Sequence, residues 1–154
     1  MSDLKQTGYQ VTAVVVAWSA GQSLTSLTDN EWTDLSDEID NSTNLYVFAD
    51  LELVLGSAAF TGLDSDVEVY LIPSVDGTNY PNWTANVTTD EQENDQHFIC
   101  SVTTSGATAA QRLAVRNIAI PAGKYKYAVR NKSGVTFAGS GNTLKWRPHS
   151  LASV

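Results

Sequence analysis

Across much of the chain hydrophobic and polar residues alternate with a period of two, the spacing that sends successive side chains to opposite sides of a pleated strand. In the longest such run, Asn44 to Leu55, Leu45, Val47, Ala49, Leu51, Leu53 and Leu55 share one side, and Tyr46, Phe48, Asp50 and Glu52 the other. At about 3.3 Å per residue this run reaches roughly 40 Å, which predicts a central strand spanning a sandwich. A second run, Asp66 to Ile72, sets Val67, Val69 and Leu71 against Asp66, Glu68 and Tyr70. Pro73 has no N–H for a ladder and Asp76-Gly77 supplies turn chemistry, so the chain reverses there. Leu51, Leu53, Val69 and Leu71 are predicted to meet in one core.

Further strands are predicted at Tyr9 to Ala17, Asn82 to Thr89, Gln96 to Thr104, Arg112 to Ile120, Lys124 to Asn131, Val135 to Ala138 and Thr143 to Arg147, separated by clusters of Gly, Pro, Ser and Asn. In Lys124 to Asn131 the alternation packs Tyr125, Tyr127 and Val129 and turns Lys124, Lys126 and Arg130 outward. Gly21 to Asn44 is mostly Ser, Thr, Asp, Asn and Glu, with Leu27, Trp32, Leu35 and Ile39 as apolar anchors. Thr28 to Glu31 fits a capping box, yet the polar bias predicts a packed loop and no long helix. Asp90 to Gln96 is acidic enough to be a solvated loop. Many short strands with little helical periodicity predict an all-β fold, an antiparallel two-sheet β-sandwich of jelly-roll type.

The chain has 154 residues, enough for one domain over 1–154 that buries roughly 70% of its unfolded surface. A short N-terminal arm, about residues 1–8, is set apart as polar. That N-terminus lacks a basic leader, and Val11 to Trp18 is too short to span a bilayer, so neither export by that route nor a membrane partner is expected. The net charge of −8 argues against a nucleic-acid partner. Its layout says more than its sum: all seventeen acids lie between Asp3 and Asp95, and eight of the nine bases between Arg112 and Arg147.

Candidate chemistry is sparse. Cys100 stands alone among Phe98, Ile99 and Val102 and reads as a small buried hydrophobe. His97 and His149 lack partners at metal-ligand spacing and read as solvated or capping histidines. Asp64, Asp66 and Glu68 share one side of a strand, but calcium needs more converging oxygens, so a solvated acidic face is expected. Gly139-Ser-Gly141 lacks the lysine of a phosphate loop, no Gly-X-Ser-X-Gly elbow occurs, and scattered carboxylates single out no glycosidase pair. The expectation is no enzyme, no catalytic residue and no cofactor or metal. The aromatics Trp32, Tyr80, Trp83 and Trp146 are expected as core or loop anchors, able to stack on sugars only if several surface together.

Four stretches, Asp34 to Tyr46, Ala49 to Leu53, Val67 to Tyr80 and Gly141 to Lys145, resemble a family of small virion structural proteins of tailed bacteriophages. The resemblance covers most of Trp32 to Arg147. It implies a capsid cement or decoration protein made in the host cytoplasm, located on the capsid surface, bound to the major capsid protein and working as a homo-oligomer or lattice-bound array. It carries over no catalytic residues. The alternative is a receptor- or glycan-binding module of a tail or fibre. Candidate interface residues are Lys124, Lys126 and Arg130 on the basic strand, and Tyr80 and Trp83 on the loop.

Overall fold

The structure, a computed structural model, describes residues 4–7, 12–58, 60, 65–85 and 95–153, with the side chains of 12–58, 60, 65–85 and 95–150. The strands are Leu4–Thr7 (β1), Val14–Val15 (β2), Ile39–Asp40 (β3), Phe48–Leu55 (β4), Asp66–Pro73 (β5), Phe98–Thr103 (β6), Gln111–Ala119 (β7), Lys124–Lys132 (β8) and Thr143–Ser153 (β9). They form two antiparallel sheets, one in the order β1-β9-β4-β7 with β2 also on β9, the other in the order β3-β8-β5-β6. β1 pairs Leu4 with Ser153 and β2 pairs Val14 with Trp146, so the two are segments of one edge along β9. Counted that way, the sheets run first-eighth-third-sixth and second-seventh-fourth-fifth. The segment expected as an arm thus contains β1.

The fold is an all-β sandwich, and its core forms where the apolar sides of the alternating strands face each other. Ala49, Leu51, Leu53 and Leu55 from β4 and Leu144 and Trp146 from β9 pack against Val67, Val69 and Leu71 from β5 and Tyr125, Tyr127 and Val129 from β8. Leu51, Leu53, Val69 and Leu71 are all buried, as the periodicity predicts.

β4 is shorter than its alternation predicts. Leu45 has φ +51°, and it and Val47 stay exposed at 55% and 51%. The cause is Asn41, buried in the turn, whose amide donates to the carbonyls of Tyr46 (2.8 Å) and Pro121 (2.7 Å) and accepts the Tyr46 N–H. That clamp bends the chain, so pairing starts only at Phe48. Of Tyr9 to Ala17 only Val14–Val15 is a strand among the described residues, and 82–85 and 135–138 form none; residues 9–11, 86–94 and Asp64 lie outside them.

The polar stretch 30–40 lies along the free edge of β8, where side chains complete what the backbone leaves open. Thr33 and Ser36 are buried, and their hydroxyls accept the N–H groups of Val129 and Tyr127 at 2.9 Å. Their own N–H groups donate back to the carbonyls of Val129 and Tyr127. Half of the Thr28-to-Glu31 box forms: the Glu31 carboxylate accepts the Thr28 N–H at 3.0 Å, but the Glu31 N–H donates to the Thr28 main-chain carbonyl, and no helix follows among the described residues.

Candidate ligand groove and the two outer faces

On the outer side of the four-stranded sheet, directly opposed residues of β5 and β8 pair Asp66 with Lys132, Glu68 with Arg130, Tyr70 with Ala128 and Ile72 with Lys126. Tyr70, Ile72 and Ala128 are nevertheless buried, because Trp32, Leu35, Tyr80 and Trp83 roof them in a second small cluster. Trp32 lies 4.6 Å from Tyr70 and meets Trp83 edge-on at 5.3 Å. Rings in these offset and edge-to-face arrangements contribute beyond their buried area.

The chain returns to this roof through a self-tied turn. The Asp76 carboxylate accepts the N–H groups of Asn79 (2.7 Å) and Thr78 (2.9 Å), which with the Asn79 side chain hold its pKa well below the usual carboxylate range. Gly77 supplies φ +76°. Beyond the turn, the Tyr80 hydroxyl donates to Glu38 at 2.8 Å, and the Trp83 indole N–H donates to the Thr33 carbonyl at 2.8 Å. Glu38 also pairs with Lys124 at 2.8 Å, and the Lys126 ammonium lies 4.7 Å from the centre of the Tyr80 ring. The Lys124 hydrogen bond, then that of Tyr80, lowers the Glu38 pKa, while desolvation and the same Glu38 contact raise that of Tyr80.

Between this loop and the 20–35 segment opens a groove of about 590 Å³, lined by Gly21, Asp34, Leu35, Tyr80, Trp83 and Lys126 among others. The Asp34 carboxylate is fixed by the Gln22 N–H at 2.5 Å. Gly21, at φ +73°, is required beside it, since a Cβ there would lie 1.9 Å from the carboxylate oxygen.

Of the candidate interface residues, Tyr80, Trp83 and Lys126 line the groove, and Lys124 is joined to it through Glu38. Arg130 is elsewhere. It lies on the expected side of β8 but under Trp32, 4% exposed, with its guanidinium 4.8 Å from the indole centre and Glu68 at 3.9 Å. Gly21, Asp34 and Glu38 come from a stretch whose polar composition announces only a loop, so no pattern in the sequence marks them.

The outer side of the five-stranded sheet differs. Phe48, Asp50, Glu52 and Val54 remain part-exposed although β4 is central, so no described segment covers that face. Glu52 pairs with Arg112 (3.5 Å) and Lys145 (3.4 Å), and Asp50 with Arg116 (3.5 Å). Arg147 stands opposite Asp50, which gives four cations against two carboxylates across β4, β7 and β9. Asp50 also accepts the Asn117 N–H at a bulge where Asn117 adopts φ +58°. Here His149 is buried against Phe48, its Nε2 3.1 Å from the Asn117 side-chain oxygen, so it is a packed and not a solvated histidine.

Burial pushes the Cys100 thiol up to about 11. Asp66 accepts a hydrogen bond from Thr103. Among the described residues no three His, Cys, Asp or Glu side chains stand where they could hold a metal ion, and no helix is long and apolar enough to cross a membrane. No family model and no curated protein matches the chain.

Proposed function

We propose that the chain is a non-enzymatic structural protein of a tailed-phage virion, a cement or decoration protein seated on the capsid surface and bound to the major capsid protein. The strand order, with β1 and β2 as one edge, is read as a jelly roll, in keeping with that role. The observation that carries the reading is the contrast between the two outer faces. One is roofed by the chain's own Trp32, Tyr80 and Trp83. The other has no described segment over it and, among the described residues of β4, β7 and β9, sets four cations against two carboxylates in a chain of net charge −8.

A β platform of this kind suits a repeated lattice contact, and the arginines and lysine ranged along β7 and β9 suit an acidic patch on the shell. Arg112 and Arg116 are the exposed ends of the ion pairs to the part-exposed Glu52 and Asp50, and pairs at a solvent-facing surface contribute only about 0–1 kcal/mol each to folding. Because the lattice offers this contact only when assembled, binding shifts the equilibrium towards the intact particle by mass action. Arrays of copies follow from the repetition of the shell.

The test is co-sedimentation with particles stripped of this protein. Arg112→Glu with Arg116→Glu is expected to leave melting nearly unchanged and to reduce occupancy sharply. Wild-type binding is expected to weaken as added salt shortens the screening length from about 10 Å at 0.1 M towards about 3 Å at 1 M. Occupancy unaffected by both the reversal and the salt would reject the electrostatic face.

A further inference from the structure

We infer that the groove between Asp34, Tyr80, Trp83 and Lys126 is a binding site for a neutral saccharide. This goes beyond shell binding and does not rest on it, because the groove lies over the four-stranded sheet and the basic platform on the other.

Volume, composition and charge each narrow the ligand. At about 590 Å³ the groove falls within the roughly 300–1,000 Å³ of small-ligand sites. Among the described residues its lining carries one carboxylate, Asp34, and one ammonium, Lys126, which also feels the Asp37 carboxylate, with the Glu38–Lys124 pair behind Tyr80. An anion would meet Asp34, a cation would meet Lys126, and a purely apolar ligand would strip water from both without replacing it. A sugar ring offers both halves of the match: an apolar C–H face for Tyr80 and Trp83, and hydroxyls that donate to Asp34 and accept from Lys126.

The site is also held ready. The Asp76 turn fixes the loop, Glu38 holds the Tyr80 hydroxyl, Thr33 holds the Trp83 indole N–H, and the Gln22 N–H holds Asp34. With its N–H engaged, Trp83 has only its ring surface to offer, which is the part a C–H face uses. Little ordering remains to offset binding.

The experiment is titration of the full chain, followed by tryptophan fluorescence and calorimetry, with neutral tetrasaccharides of glucose, mannose, galactose and N-acetylglucosamine; sialyllactose and decaproline serve as the anionic and peptide probes. At least one neutral tetrasaccharide is expected to bind with Kd of about 1 mM or tighter. Lys126→Ala and Tyr80→Ala should each weaken it at least tenfold, and Arg116→Glu on the opposite sheet should leave it unchanged. Should Tyr80→Ala melt early, Lys126→Ala, whose side chain is part-exposed, carries the comparison. No neutral binding up to about 10 mM, binding of sialyllactose or decaproline in its place, or binding that survives the groove substitutions would overturn the site, whatever the result on particles.

Discussion

Cys100 lies part-buried in β6 opposite Val69, and desolvation lifts its thiol from 9.0 to about 11. The fold accommodates the neutral thiol and opposes the thiolate. A group raised in this way contributes stability that is fully present below the unfolded value and lost as pH climbs through the folded one, so the window is about pH 9 to 11. The fall in urea midpoint between pH 8 and pH 11 is expected to be larger in the wild type than in Cys100→Ala; equal falls would show that the thiol is solvated. Buried Tyr125 and Tyr127 are also raised by desolvation; Cys100 adds to the rise at Tyr127, so its removal changes that group in the same direction and enlarges the difference between the two proteins. Leu53 and Val69 were legible because a period of two settles which side they face, whereas Cys100 is marked only by its apolar neighbours, since beside the register shift Ile99 and Cys100 both pack on the core. Arg130 was not: its strand gives the side, but its burial depends on Trp32, far away in sequence, bridging to it.

At the level of elements, β4, β5 and β8 follow from alternation alone, whereas the 30–40 edge does not. Its Ser and Thr residues break the apolar pattern that marks a strand, yet two of their hydroxyls take the place of ladder carbonyls. Thr33→Val keeps the shape and removes the acceptor for the buried Val129 N–H. The expected cost is about 1–3 kcal/mol, the penalty of an unmatched buried donor. Hydrogen exchange at the Val129 amide should accelerate more than at Val69 on the neighbouring strand; unchanged exchange would mean that the hydroxyl is not the acceptor. Because this edge also supplies Asp34, Leu35 and Glu38, the groove was only half legible: the sequence pointed to Tyr80, Trp83 and Lys126 and hid the residues opposite them. The early end of β4 was hidden for a similar reason, since the Asn41 clamp reaches Pro121, a contact that no local pattern encodes.

For the whole molecule, the division of charge along the chain becomes a division in space. The basic half supplies β7, β8 and β9. On β8 its cations are absorbed by Glu38, Glu68 and Tyr80, whereas on β7 and β9 they outnumber the two carboxylates of β4. The proposed role rests on that second surface meeting a shell while the groove faces away from it. A density map of the intact virion tests this most directly. The expected result is sandwich-shaped density repeated over the outer shell, with Arg112, Arg116 and Lys145 against the major capsid protein and the Tyr80–Trp83 loop towards solvent. Density confined to the tail, or copies seated on the shell through the roofed sheet, would contradict it.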